Sequence, residues 1–363
     1  MKSFEDATVQ YFANPNSTHQ LGKKANEVIE NSTQSILDML KKNTNIEENM
    51  EIIYTSSSSE SNNLAIKGLA RSYRENGKHI ISTFLEHSSV SSPLTYLKEQ
   101  GYEIDIVDIN SDGKVDIEQF KSLIREDTVL VSISYVDSEL GTIQPIQEIS
   151  NIISKYQNCF LHVDCTQAIG KIPVNLNGVD LISFAPHKFY GLNGSGALIK
   201  RSDIVLEPLI NGGNSTTIYR SGTPVIGQIV AMEKALELAF DNLYERLEYV
   251  TKLNNLVKDD FKNYSKIHIN SFLGNPFILN ISIDGVKAID FKQKLEEKNV
   301  YVSIKSACTT TLTPSRPVLA VYKDKKLALS SWRMSFSHLI EEEEIKEFLN
   351  IFKESYKYFI GEE

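Results

Sequence analysis

Apolar residues recur along this chain with two different periods, and the alternation between the periods predicts the architecture. Over 21–42 they fall at Ala25, Val28, Ile29, Ile36, Leu37 and Leu40, the buried stripe of an amphipathic helix. The segment before it, Phe12-Ala-Asn-Pro-Asn-Ser-Thr-His19, is rich in turn formers. A short strand is expected over 51–55, then Ser56-Ser-Ser-Ser59-Glu-Ser-Asn-Asn, which opens a helix running to 74. Strands follow over 79–84, 104–109, 129–135 and 159–163, with helices over 86–100, 117–124 and 146–156 between them. A further strand over 179–184 runs into Ala-Pro-His-Lys188-Phe-Tyr-Gly-Leu-Asn-Gly194. Such an order predicts an α/β fold: a large domain whose mostly parallel central sheet is flanked by helices.

The pattern changes after a long helical region expected over 224–261. Strands over 277–283, 300–304 and 330–336 and helices over 288–298 and 341–359 predict a smaller C-terminal α+β domain. The division expected is 1–240 for the large domain and 241–363 for the small one, which carries Cys308 in a Thr/Pro/Ser-rich, mobile loop. Neither internal repeats nor low-complexity tracts interrupt the pattern.

Composition narrows the classes of function. A chain of 363 residues exceeds what one hydrophobic core usually serves, and 41% hydrophobic with 23% charged residues is ordinary for a soluble globular protein. The formal charge of −9 argues against bulk binding to nucleic acid or an anionic membrane. No apolar run approaches the roughly 20 residues of a spanning helix, and Met-Lys-Ser-Phe-Glu-Asp lacks the apolar core of a signal peptide. Three cysteines, Cys159, Cys165 and Cys308, suit thiols in a reducing cytoplasm. None is spaced from another Cys or a His as a metal site requires, so no metal is expected. Cys159 and Cys165, in or beside an apolar strand, read as buried packing residues.

The polar residues that closely follow strands carry the chemistry. His87, Ser138, Asp164, Gln167 and Lys188 each do so, and parallel strands would gather them along one sheet edge, where open α/β proteins bind ligands. Lys188 has two readings, a solvated surface lysine or a partly desolvated amine able to form a Schiff base with a carbonyl. The serine-rich junction at 56–59 likewise reads as a helix cap or as a phosphate site of free N–H groups and hydroxyls. It is neither a Walker loop nor a dinucleotide fingerprint. A Schiff-base lysine, a strand-end aspartate, a histidine and a phosphate-binding helix start together fit pyridoxal phosphate as cofactor.

At this point the motifs converge on a family. Asn14-Pro-x-Ser-x-His, Thr55-Ser-x-x-Ser-Glu-Ser-Asn-Asn-Leu-Ala-Ile-Lys-Gly, Glu86-His87 and His162-Val-Asp164-x-Thr-Gln167 resemble those of the cysteine desulfurases, within the class V aminotransferases. So do Ser183-Phe-x-x-His-Lys188-x-Tyr-Gly, Arg220-Ser-Gly-Thr223 and Ser306-Ala-Cys308-Thr, in the same order nearly end to end. The resemblance implies that Lys188 binds the cofactor's aldehyde and shuttles the proton at the substrate α-carbon. It implies that His87 stacks on the ring and takes part in acid–base steps. Asp164 would pair with the pyridine nitrogen, and Gln167 would approach the phenolic oxygen. Ser58, Ser59 and His187 would hold the phosphate together with Thr223 of the partner subunit in a homodimer. Arg333 would clamp the substrate carboxylate, with Asn14 and Ser138 in the substrate pocket. Cys308 would take sulfur from L-cysteine as a persulfide, leaving L-alanine, and pass it to an acceptor or scaffold protein, as in iron–sulfur cluster assembly. Read from its residues alone, Cys308 is either an ordinary loop thiol or an exposed, partly ionised one.

The chain also departs from the family pattern. The N-terminal strand and Ala-Thr-Thr turn have no counterpart, an expected asparagine is Ser138, and a phosphate-contacting serine is Ala185. The phosphate loop's Gly-Ala-Thr is Ser57-Ser58-Ser59, and Asn214, Thr216 and Thr217 replace a glycine and charged residues. Two alternatives therefore stand beside the desulfurase: a related enzyme acting on another amino acid, such as selenocysteine, and a degenerate homologue serving as a binding subunit.

Overall fold

A computed structural model describes residues 1–271, 274–304 and 313–361. The chain forms two compact units, Met1–Val107 with Ile117–Tyr135 and Pro145–Leu243, and Asp108–Asp116 with Val136–Gln144 and Tyr244–Glu363.

The first unit opens with helices α1 (Lys2–Gln10) and α2 (Gln20–Thr44), then strand β1 (Met50–Thr55). Helix α3 (Ser58–Asn63) continues through a π-helical turn, Leu64–Gly68, into α4 (Leu69–Ser72). Next come β2 (His79–Thr83), α5 (Ser88–Glu99), β3 (Glu103–Val107), α6 (Ile117–Leu123), β4 (Thr128–Ser134) and α7 (Ile146–Ile153). The unit closes with β5 (Phe160–Asp164), β6 (Leu181–Phe184), β7 (Gly196–Arg201) and α8 (Ile226–Asp241). The strands form one sheet in the order β1-β7-β6-β5-β4-β2-β3. β2 to β6 run parallel, and β7 is antiparallel to both β6 and β1. Every residue of β2, β4, β5 and β6 is buried, as a sheet covered on both faces requires. The mostly parallel sheet is thus as expected; β7 is an addition, its apolar stretch Ala197-Leu-Ile199 too short to show a period. Cys159 and Cys165 are buried free thiols, and burial pushes both upward in pKa.

The second unit contains α9 (Leu243–Phe261), β8 (Ile267–Ile269), β9 (Ile278–Ile283), α10 (Ala288–Glu296), α11 (Arg316–Tyr322), α12 (Lys325–Ser330), β10 (Ser331–Ser335) and α13 (Glu342–Ile360). Its sheet is antiparallel, β10-β9-β8. Phe352 centres the core, 4.5 Å from Phe261, 5.4 Å from Phe291 and 6.2 Å from Trp332 between ring centroids. Residues so packed dominate the energetics of a small core.

The helical region expected over 224–261 is present as two helices parted at Asn242, whose side chain donates to Leu238 O at 3.1 Å. Two expectations are corrected. The expected strand over 300–304 makes only one bridge, Ser303 to Arg333, after Asn299 turns the backbone left-handed at φ 60°. The Ser315-Arg-Pro317 stretch, read as part of a mobile loop, starts α11, with Ser315 Oγ capping Val318 N–H at 3.3 Å. Residues 305–312 of that loop, Cys308 included, lie outside the described residues. A single boundary at 240 also differs from the units found, since Asp108–Asp116 and Val136–Gln144 group with the second. Both segments are irregular and joined by Gln144, which binds Val115 N–H and Gly113 O. No period in the sequence marks such a grouping.

Candidate active site

Lys188 lies in one 3-10 turn, Pro186–Phe189, set off from β6 by Ala185 alone. The turn is held at both ends: Lys188 N–H donates to Ala185 O at 3.2 Å, and Gly191 N–H to Pro186 O at 2.8 Å. Tyr190 between them adopts φ 71°, a conformation that costs a non-glycine residue energy. A Cβ on Gly191 would stand 2.6 Å from Pro186 Cβ, so the chain can fold back here only with glycine. Phe189 is buried against Phe184, leaving the half-buried Lys188 on a backbone with little freedom.

Asp164 ends the neighbouring strand, β5, and pairs with Ser183 of β6. Its carboxylate is 7% exposed, accepting from Thr166 N–H at 2.9 Å and from Asn62 Nδ2 at 2.8 Å. A carboxylate has about four acceptor sites, so capacity remains for a further donor. Two residues back on β5, His162 is fully buried between Ser132 Oγ and Ser183 Oγ, each at 2.9 Å. Burial lowers its pKa to about 4 against the opposing pull of Asp164. A neutral His162 brings no charge of its own to the end of β5.

His87 caps α5, its Nδ1 accepting from Ser89 N–H at 3.1 Å. Gln167 Oε1 accepts from Lys171 Nζ at 2.9 Å, which fixes the sense of the amide because an ammonium can only donate. Partial burial, then the charges of Lys188 and Lys171, hold His187 below the ordinary histidine range. Lys171 is a cation at this site that sequence reasoning passed over.

The start of α3 is built for close approach. Ser57 caps it, accepting from Glu60 N–H at 3.3 Å, while Ser58 and Ser59 occupy first-turn positions whose N–H groups the helix cannot satisfy. Glu60 Oε2 takes Ser56 N–H and Oγ, both at 2.7 Å, and Glu60 Oε1 takes Arg220 Nε at 2.9 Å. Burial opposes ionisation of Glu60, but these donors outweigh it and lower the pKa. Arg220, Thr223, Ser56 and Gly196 help line a cavity of about 140 Å³. A Cβ on Gly196 would lie 2.4 Å from Ser57 C and 2.8 Å from Ser58 N, so this glycine seats the α3 start on β7. Gly196→Ala should therefore displace Ser57 and Ser58. If these hold a phosphate, one charged hydrogen bond lost, about 1.5–3 kcal/mol, weakens cofactor binding at least about tenfold. Titrating apoprotein with pyridoxal phosphate checks this, and unaltered affinity would dissociate the serines from the cofactor.

This donor set fits pyridoxal phosphate. Asp164 is a buried carboxylate with acceptor capacity left, Lys188 supplies an amine from the turn that follows the adjacent strand, and a glycine-seated helix start supplies anion-binding N–H groups. Asn14, also expected near a bound molecule, is exposed and engaged in a local turn, its Oδ1 accepting from Asn16 N–H at 3.0 Å.

Ser138 and Arg333 lie in the second unit. There Arg333 Nη1 donates to Ser138 O at 2.6 Å, so the contact uses the serine's backbone and is indifferent to its short side chain. Arg333 Nε is buried without a hydrogen-bond partner among the described residues. Two carboxylates that sequence reasoning missed sit beside them: Asp137, accepting from the N–H groups of Glu139 and Leu140, and Glu139, accepting from Ser315 Oγ at 2.6 Å. Burial, then the charge of Glu139, raises the Asp137 pKa to about 7. Burial lowers that of Arg333 against the pull of Glu139 and Asp137. A carboxyl raised above its unfolded value binds protons preferentially in the native state. Its contribution to stability is whole below about pH 4 and is lost as pH rises toward 7. Asp137→Asn should remove this loss, worth about 1.4 kcal/mol per unit of pKa shift. Urea unfolding of both proteins at pH 5 and 8 measures it, and a gap that stays constant with pH would contradict it.

A family model described as aminotransferase class-V matches residues 1–348. The chain is 36% identical to the cysteine desulfurase IscS of Dictyoglomus turgidum over 346 residues, 94% of this chain and 86% of that one. It is also 36% identical to a NifS/IcsS protein homolog of Lactobacillus delbrueckii over 366 residues, 99% and 94% of the two chains. Among solved structures, a NifS-like protein 31% identical superposes with a TM-score of 0.89 over 98% of this chain and 96% of its own.

Proposed function

The chain belongs to the class V aminotransferases and within them to the cysteine desulfurase family, and from that membership we propose that it converts L-cysteine to L-alanine, leaving the sulfur on Cys308. The observation that carries this reading is the pairing of Asp164 with Ser183, which sets a buried carboxylate on the strand beside the one that delivers Lys188. A structural relative 28% identical, with a TM-score of 0.78, is SspA in complex with cysteine. That ligand is the amino acid proposed here as substrate.

Bound pyridoxal phosphate would supply an electron sink for the pair left at substrate carbon. Ser58, Ser59 and His187 would hold its phosphate, with Thr223 of the partner subunit in a homodimer, and Gln167 its phenolic oxygen. Asp164 would accept a hydrogen bond from the ring nitrogen. Lys188 Nζ would hold the aldehyde and serve as the base that moves the proton at the substrate α-carbon, and His87 would lie against the ring. Arg333 would hold the substrate carboxylate by its fork of donors, and Asn14 and Ser138 are assigned to substrate binding. The Cys308 thiolate attacks the substrate sulfur; an S–S bond forms, the C–S bond breaks, and the carbon takes a proton to become alanine. The persulfide then passes to an acceptor protein, in a reducing cytoplasm where thiols persist. No helix among the described residues is long and apolar enough to cross a membrane.

Alanine formation by the reconstituted protein from a panel of amino acids tests the substrate. L-cysteine, and selenocysteine as its closest analogue, should yield alanine. Turnover of another amino acid with none of cysteine would refute the proposal. Absence of any visible absorbance after reconstitution would leave the degenerate binding subunit as the reading.

A further inference from the structure

Asn62 carries a network that none of the assigned roles uses. It sits in α3, 0% exposed, and both hydrogens of its Nδ2 are committed: one to Asp164 Oδ2 at 2.8 Å, the other to Ser89 Oγ at 2.9 Å. The sense of this amide is fixed, since its oxygen in that place would face the carboxylate acceptor to acceptor. Its own Oδ1 is left buried without a hydrogen-bond partner among the described residues, a cost accepted in the orientation that serves Asp164. Ser89 Oγ, having accepted from Asn62, has one hydrogen to give, and His87 Nδ1 stands 2.8 Å away. The Ser89 backbone N–H points at the same nitrogen from 3.1 Å. A backbone amide can only donate, so Nδ1 presents its lone pair. The proton of the neutral ring then belongs on Nε2.

We infer that Asn62 and Ser89 are positioning residues that fix His87 as its Nε2–H tautomer and tie the ring to the Asp164 carboxylate. Hydrogen bonds run in one direction from Asn62, outward to Asp164 on one side and through Ser89 to His87 on the other. The hydroxyl of Ser89 is therefore not a free rotor; its orientation is dictated by the amide behind it. Any group that His87 reaches through Nε2 meets an N–H donor and not a lone pair. This gives a sense to the acid–base role of His87 and rests on that reading of the site. It makes no use of which amino acid is the substrate.

The test uses full-length protein labelled with 15N-histidine, as apoprotein and reconstituted with pyridoxal phosphate. Long-range 1H–15N spectra distinguish protonated from unprotonated ring nitrogens, and His87→Asn identifies the His87 signals. At neutral pH, Nδ1 should be unprotonated and Nε2 protonated in both forms. Ser89→Ala removes one of two donors and should yield a detectable Nδ1–H population, with kcat on L-cysteine down about tenfold and KM within about twofold. Ser89→Thr, which keeps the hydroxyl, should restore the spectrum and bring kcat within about twofold of the parent. An Nδ1–H or doubly protonated ring in the unmodified protein overturns the inference, whatever the variants do. So does Ser89→Thr proving as damaging as Ser89→Ala, which would mark a packing effect. Should cysteine fail as substrate while the spectra match, the substrate reading falls and the relay stands.

Discussion

Lys188→Ala is expected to abolish turnover, by at least about a thousandfold, and to remove the visible absorbance that reconstitution with pyridoxal phosphate gives the parent protein. The backbone around Lys188 argues for so large an effect. The turn is bonded at Ala185 and Pro186, strained at Tyr190 and wedged by Phe189, so the backbone has little freedom to adjust once the amine at 188 is gone. His187, beside it, lacks the reach and the chemistry of a primary amine. Stability should hardly change, because alanine removes a half-buried chain that the turn's hydrogen bonds do not use. Absorbance spectra and alanine production, measured on a variant with unaltered thermal unfolding, decide the matter. A variant that kept the absorbance band would remove the covalent anchor from the proposal.

Cys308→Ser is expected to separate the two halves of the reaction. Cofactor binding should persist, since the groups assigned to it lie in the first unit and Cys308 does not. Alanine formation from cysteine should fall at least about a hundredfold, because a serine hydroxyl is neither ionised at neutral pH nor a comparable nucleophile toward sulfur. The sensitive measurement is cyanolysis of protein-bound sulfur after exposure to L-cysteine, which should find persulfide on the parent and none on the variant. Full sulfur loading of Cys308→Ser would shift the acceptor role to another residue. Cys159 and Cys165 are poor candidates, being buried thiols whose pKa burial drives upward.

The parallel sheet was legible because its strands are buried on both faces and read as continuous apolar runs, as in Val129-Leu-Val-Ser-Ile133. Lys188 and Asp164 were legible because each ends such a run with a polar residue that a core would exclude. Asn62 was not. It stands in plain view in Ser61-Asn-Asn63, but its partner Asp164 is 102 residues away, and nothing local distinguishes the asparagine that faces inward from its neighbour. Asp137 was passed over for a similar reason: a carboxylate in a loop reads as solvated, and only the fold reveals that it is 0% exposed. The strand expected over 300–304 failed because alternation in Val300-Tyr-Val-Ser-Ile304 reports a face to bury, not a neighbour to pair with. The start of α11 had a signal, serine two places before proline, that was read as loop composition.

The second unit is assembled from three stretches of one polypeptide. Asp108–Asp116 and Val136–Gln144 leave the ribosome well before Tyr244–Glu363, with which they are grouped. During synthesis Asp137 and Glu139 must wait, solvated and charged, for the chain that will enclose them, and Ser315 must arrive before Glu139 has its partner. Protein cut after residue 243 would leave that wait without an end, so the larger fragment should prove a poor substitute for the first unit within the intact chain.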